Sequence, residues 1–314
     1  MILWRSLIGS PRPSAVGPRW RRDVNVVRPA AFAGRFYPAD KEACLRFVRS
    51  ALLQLPPPSA SQSTAVAGLV PHAGWYFSGS TAAMTIASIA ASRPETVVIF
   101  GAVHVMDRNF ASLFPAGSWS TPLGEIDIDE EVCRRIALIE NVRIDAAIHA
   151  YEHSIEVELP FVQFMCPGAR IVPLMIRPGS DCSRIGRQVA ARILESGRRV
   201  AFVASTDLTH YGPAFGFEPQ GRGSIGFRWA KDVNDRRFLK LAAELECDAV
   251  VPEVAIHNNA CGSGAVAATL AAAIEARATQ YRELRHTSSA EREADEGSEP
   301  GLNSVGYVSA VFTA

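Results

Sequence analysis

The sequence predicts a single α/β domain built on a central, mostly parallel or mixed sheet with helices on both faces. Two observations carry this. Short apolar runs of strand length (AVAGLV, TVVIF, RIVPLMI, RVAFVA) alternate with longer segments of helical period. Nearly half of the 314 residues, 48%, are apolar, which supplies a sizeable core. Contacts expected along the whole length from Arg28 favour one domain over two.

Taken in order, Met1–Val27 is Arg-rich but has no continuous apolar core of about 7–15 residues, as a secretory leader would. It is expected to be a flexible N-terminal extension (residues 1–27), or a start assigned too early, in preference to a transit peptide. Asp40 caps a helix to about Leu55 whose inner side carries Leu45, Phe47, Val48, Ala51 and Leu52. Gln54–Thr64, rich in Pro and Ser, is a loop. Ala65–Val70 is a buried strand. Ser78 or Ser80 is expected to cap the next helix, Ala-rich to about Ser92. Thr96–Phe100 is a strand, Asp129–Ile139 a short helix, and Glu152–Cys166 a helix divided or kinked at Pro160. Arg170–Ile176 and Arg199–Ala204 are strands on either side of an amphipathic helix, Cys182–Ser196. Phe215–Phe227 reads as a Gly-rich loop, followed by helices at about Ala230–Leu245 and Gly262–Ala278. Tyr281–Ser288 and Ser304–Thr313 pair as late strands, joined by the solvated acidic connection Glu291–Pro300.

Composition excludes some classes of partner. Lys plus Arg equals Asp plus Glu at 32 each, so no global nucleic-acid binder is indicated. No apolar stretch reaches the ~18–20 residues of a membrane-spanning helix. Six cysteines (44, 133, 166, 182, 247, 261) are scattered without a CxxC pair, which reads as reduced thiols and a cytoplasmic setting.

Three strand ends carry histidine: Pro71-His72 after AVAGLV, His104 after TVVIFGAV, and Asp207 with His210 after RVAFVAST. Ligands of open α/β sheets bind outside the carboxyl ends of strands, so these side chains are expected to converge. One histidine at a strand end is usually structural; three together reverse that expectation. Cys261, in NNACGSG, sits where a loop enters a helix, and the helix N-terminus would favour its thiolate. In YEHSIEVELPF, Glu152, His153, Glu156 and Glu158 are dense polar groups, with His153 and Glu156 on one face of the expected helix. They either orient site residues or form a solvated face. Two imidazoles and a thiolate suit a divalent transition metal with open positions. His210 then fits an acid/base role near neutrality, with Asp207 orienting it or a metal-bound water. Trp75 and Tyr76 are candidates for the pocket wall, beside Glu152. No GxSxG elbow, HExxH pair or Walker loop is present.

PHAGWYFSGSTAA, GAVHV, STPLGEIDID, EHSIEVELPF, STDLTHYG and NNACGSG, in this order, resemble the Memo family (mediator of ErbB2-driven cell motility). Its bacterial members are called AmmeMemoRadiSam system protein B. RPAAFAGRFYPAD and VGYVSAVF fit as well, so the resemblance runs from about Arg28 to the C-terminus. It implies a Memo-like domain over residues 28–314, with a fold similar to that of class III non-haem iron extradiol dioxygenases. It also implies His72, His104 and Cys261 as metal ligands, with His210, Asp207 and His153 beside the metal. Iron (Fe2+) is the first expectation for the metal, copper or zinc the next. The sequence departs at Trp75, where the family has tyrosine, at Ala102 and at Ala265, where it has proline; every ligand position remains filled. The function this implies is a mononuclear 2-His-1-Cys protein with redox chemistry on an undefined small molecule or peptide. The alternatives are a non-catalytic accessory protein acting with AMMECR1-like and radical SAM partners, or a zinc-dependent hydrolase.

Overall fold

The computed structural model describes residues 26–55, 64–295 and 301–314. The first 25 residues of the expected extension, residues 56–63 of the Pro/Ser loop and residues 296–300 of the acidic connection lie outside them. The chain begins with β1 (Val27–Arg28), α1 (Lys41–Leu53), β2 (Ala65–Val70), α2 (Trp75–Ala90) and β3 (Thr96–Gly101). There follow β4 (Ala111–Leu113), β5 (Ser118–Thr121), β6 (Gly124–Asp127), α3 (Glu130–Ile136) and β7 (Val142–Ile144). Then come α4 (Leu159–Met165), β8 (Arg170–Ile176), α5 (Cys182–Leu194), β9 (Val200–Ser205) and β10 (His210–Tyr211). The last elements are α6 (Ser224–Trp229), α7 (Arg236–Ala243), α8 (Val250–His257), α9 (Ser263–Glu275), β11 (Gln280–Ser288), α10 (Ser289–Asp295) and β12 (Ser304–Thr313).

The main sheet has the order β10-β12-β2-β9-β3-β8-β4-β7, with β11 on the other side of β12. Its centre, β2-β9-β3-β8, is parallel. β12 joins antiparallel to β2, and β4 antiparallel to β8, so the sheet is mixed. The parallel strands are apolar runs because both of their faces are covered. On one side α2 lies so close that a Cβ at Gly68 would meet Thr85 Cγ2 at 2.4 Å. In the other helix layer, Gly186 of α5 faces the backbone of α9, where a Cβ would meet Ala268 O at 2.0 Å. Six of the 13 residues of α9 are alanine for the same reason: helix and sheet approach too closely for larger side chains. One apolar core runs from Tyr37 to Phe312.

The sequence-based elements hold with informative exceptions. α2 begins at Trp75 with Gly74 as its N-cap, not at Ser78 or Ser80; Trp75 N–H donates to Phe36 O, and Ser78 Oγ turns back to Ala73 O. Glu152–Ile155 is not helical. The Glu152 carboxylate accepts the N–H groups of His153 and Ser154, a local alternative to helical bonding. Helix starts only with the 3-10 turn Glu156–Glu158, and Pro160 stands in the first turn of α4, where its missing N–H costs nothing. The end of the Gly-rich segment is already α6, which passes through a π turn, Ala230–Asp235, into α7. The first part of the acidic connection is α10, and α8 had no sequence signal.

β1 is too short to hold itself and is anchored by charge. Buried Arg28 donates to Glu156 Oε2 at 2.5 Å, to His149 O at 2.9 Å and to Glu152 O at 2.9 Å. Glu156 also accepts from Ala31 N, Phe32 N and Tyr37 Oη. Its role is therefore structural, and it does not share a helical face with His153.

His149 is fully buried between Phe114 and Trp119, with Nε2 on Ser112 O at 3.0 Å and Nδ1 unpartnered among the described residues. Burial holds its pKa down at about 4, so the neutral ring is the folded form. A histidine depressed in this way is uncharged in the folded chain while the unfolded chain takes up a proton below about 6.5. Stability is therefore expected to fall as pH drops from about 6.5 to 4, by on the order of 3 kcal/mol from this residue. His149→Gln removes the titration. Urea unfolding of both chains at pH 7 and pH 4.5 checks this: the gap between them should narrow or reverse in acid, and an unchanged gap contradicts it.

Candidate metal centre

The carboxyl ends of β2, β3 and β9 meet as expected. The turn after β2 delivers His72, the loop after β3 delivers His104, and the segment after β9 delivers Asp207 and His210. β12 extends past the end of β2 and holds this last segment through β10, pairing His210 with Val305. Cys261 reaches the site from the loop before α9. That loop rests on the end of β9: a Cβ at Gly262 would stand 2.3 Å from Ser205 O, and Gly262 N–H donates to Thr206 Oγ1.

His72, His104 and His153 form the tightest group. One ligating atom from each lies within 4.8 Å of the others. The His72 ring stands 5.0 Å from that of His104 and 5.2 Å from that of His153, and His104 stacks on His153 at 4.8 Å. Cys261 is not part of this innermost set, yet its Sγ is 3.2 Å from His72 Nε2. His153 is thus closer to ligand position than a pocket neighbour need be.

Hydrogen bonding fixes the His72 tautomer. Ser205 Oγ donates its one hydrogen to Ser154 O at 2.6 Å, so at 2.7 Å it accepts from His72 Nδ1. Nε2 is left with its lone pair, facing Cys261. Burial, with His104, His153 and His210 nearby, holds His72 well below the usual histidine range, so the ring is neutral. Glu152 sets the other two rings. Oε1 lies 3.0 Å from His104 Nδ1 and 3.3 Å from His153 Nδ1, and Oε2 accepts His104 N–H at 2.6 Å. Burial alone would raise Glu152; the bonds and charge from His104 and the Ser154 N–H hold it at about 2. Burial likewise works to lower His104, but Glu152 outweighs it and raises the pKa. For His153 burial wins, and its pKa falls to about 4.

Three expected roles change. Burial and the Asp207 charge raise the Cys261 thiol, overriding any helix-end preference for thiolate. His210 is lowered to about 4 by burial and by His104, so it is a neutral imidazole and not a group titrating near pH 7. Its ring rests on Phe215 at 4.9 Å, and its buried Nε2 has no partner among the described residues. The carboxyl that titrates near neutrality is Asp207, raised by burial to about 7 although the N–H groups of His72 and Ala73 oppose this. Asp207 Oδ1 accepts His72 N–H at 2.9 Å, so it steadies the His72 turn and not the His210 ring.

Of the expected pocket residues, Glu152 stands against His104 and His153. Trp75 is not a pocket wall: it is buried against Phe161 and Phe47, with Nε1 donating to Val157 O, because α2 is capped at Gly74, four residues before Ser78, and this turns Trp75 into the core. Tyr76 is half exposed under the Arg292 guanidinium, at 5.4 Å. Phe36 and Phe32 take the wall position, at 4.5 and 5.6 Å from the His153 ring. Sequence reasoning also missed Ser205 and the buried set behind His210. There Asp235, delivered by the π turn, accepts from Thr209 N–H and Oγ1 and pairs with His286 at 2.9 Å.

Comparison with known proteins identifies the family. The family model for Memo-like proteins matches residues 28–311. A MEMO1 family protein of Thermococcus onnurineus is 34% identical over 298 residues, covering 91% of this chain and 99% of its own length. Those of Thermococcus kodakarensis and Pyrococcus furiosus are also 34% identical, over 298 and 271 residues, covering 91% and 82% of this chain and 99% and 92% of their own lengths. With its histidines gathered at the strand ends and its match running over nearly the whole described fold, the chain belongs to the Memo family.

Proposed function

We propose that this chain holds one transition-metal ion between His72, His104 and Cys261, and that it acts in redox chemistry on a small molecule or peptide. Iron(II) is the first candidate, copper or zinc the next. The observation that supports this most is the His72 lone pair: Ser205 locks Nδ1, and Nε2 points at a thiol 3.2 Å away, beside a second imidazole. Imidazole with thiol is a borderline-soft donor set, which fits these metals and does not fit magnesium or calcium. When bound, such an ion supplies a Lewis-acid and electron-transfer centre with free coordination positions.

The remaining roles belong to the chain's own side chains. Glu152 fixes the orientation of His104 and His153, as carboxylates behind metal-binding imidazoles do. Asp207, poised near pH 7, gives up or takes a proton at its carboxylate. His210 and His153, both neutral, accept protons at ring nitrogen. Phe32 and Phe36 pack against the His153 ring, and Phe215 against that of His210.

Metal analysis of anaerobically purified protein, followed by oxygen-consumption and hydrolysis assays on reconstituted samples, tests the reading. Iron or copper near one per chain with oxygen consumption is expected. Zinc at full occupancy with hydrolytic turnover contradicts the redox assignment.

A further inference from the structure

We propose that a cleft at the amino-terminal edge of the central strands binds an organic diphosphate of nucleotide size. The cleft has a volume of about 760 Å³ and is lined by Arg93, Arg170, Arg198, Arg199 and one carboxylate, Glu95. It lies at the starts of β3, β8 and β9: Thr96 pairs with Arg170 on one side and with Val200 on the other. The histidines occupy the opposite ends of the same strands, roughly 20 Å away for six residues of strand. The cleft is therefore separate from the candidate metal centre and does not depend on it.

The four guanidiniums are not equivalent. Arg198 is committed to Asp129, at 2.7 Å, and to Glu131. Arg199 is balanced by Glu95, at 3.8 Å, and its Nε donates to Arg93 O. Arg93 and Arg170 have no hydrogen-bond or ion-pair partner for their guanidiniums among the described residues, and both are exposed in the cleft. Like charges gathered in one concavity repel and focus a positive potential, which an anion relieves. Two uncommitted planar forks match a group with two anionic centres, each taking a bidentate pair of N–H bonds. A single inorganic ion would leave most of the volume empty. Met165, Pro94 and Pro167 supply apolar wall for an organic body, as in small-molecule sites of 300–1,000 Å³.

Arg93 offers a clean separation of binding from folding. Its φ of 48° lies in the left-handed region, where glycine is less strained than any side chain. Arg93→Gly should therefore leave the unliganded fold as stable as before, or more so, while removing a fork.

Isothermal titration of the full chain with ADP, pyrophosphate and citrate, each without divalent cation, tests this. ADP is expected to bind, and pyrophosphate to bind less tightly. Arg93→Gly and Arg170→Gln should each weaken ADP by about tenfold or more, the loss of one charged hydrogen-bonded pair. The unliganded Arg93→Gly chain should unfold at no lower temperature than the parent. Absence of ADP binding overturns the proposal, as does ADP affinity indifferent to both substitutions. Citrate binding more tightly than either phosphate overturns the phosphate assignment.

Discussion

Replacing His72 by alanine is expected to lower the affinity of the anaerobically prepared chain for iron(II) by more than about 100-fold. Loss of a residue behind a metal ligand typically costs 10–100-fold, so loss of the ligand should exceed that. The two bonds that hold the ring separate geometry from mere presence. Ser205→Ala keeps the imidazole but releases Nδ1, so both tautomers become accessible and Nε2 no longer always presents its lone pair. Its expected loss is about 10–100-fold. Competition with a chelator of known affinity measures both. Affinity unchanged in His72→Ala removes this residue from the ligand set.

The largest effect on stability is expected at Glu156. Glu156→Ala leaves the Arg28 guanidinium buried without its carboxylate, and strips Ala31 N, Phe32 N and Tyr37 Oη of their acceptor. Breaking a buried pair from one side costs about 3–5 kcal/mol. Urea unfolding measures it. The paired change Arg28→Met with Glu156→Leu should recover part of the loss, because a buried pair replaced by apolar groups leaves no orphaned charge. A loss below about 1 kcal/mol for Glu156→Ala would contradict this account of how β1 is anchored. Because Arg28 also donates to Glu152 O, weaker metal binding is expected to accompany the unfolding effect.

The parallel strands were legible in the sequence because burial on both faces leaves uninterrupted apolar runs such as TVVIF and RIVPLMI. The convergence of His72, His104 and His210 followed from strand ends alone. Short strands such as β4 and β7 were not legible, since three residues carry no period. Glu152 was placed near the site, but its work was hidden: its partner His104 lies 48 residues away, and only the folded sheet brings the β3 loop over it. The exchange of Trp75 for Phe36 in the wall has the same origin. A four-residue shift in the cap of α2, from Ser78 to Gly74, turns an indole into the core, and no local pattern marks that start. Cys261 was legible from its place where a loop enters a helix, whereas its raised pKa comes first from burial and then from the Asp207 charge, which only the folded end of β9 brings to it.

The central claim is that His72, His104 and Cys261 share one metal ion. X-ray absorption at the metal edge of anaerobically purified protein tests it most directly, because sulfur and nitrogen scatter distinguishably in the first coordination shell. The account predicts one metal per chain with one sulfur neighbour, and loss of that sulfur in Cys261→Ser. A shell of three imidazole nitrogens without sulfur, unchanged in Cys261→Ser, would assign the site to His72, His104 and His153 and contradict it.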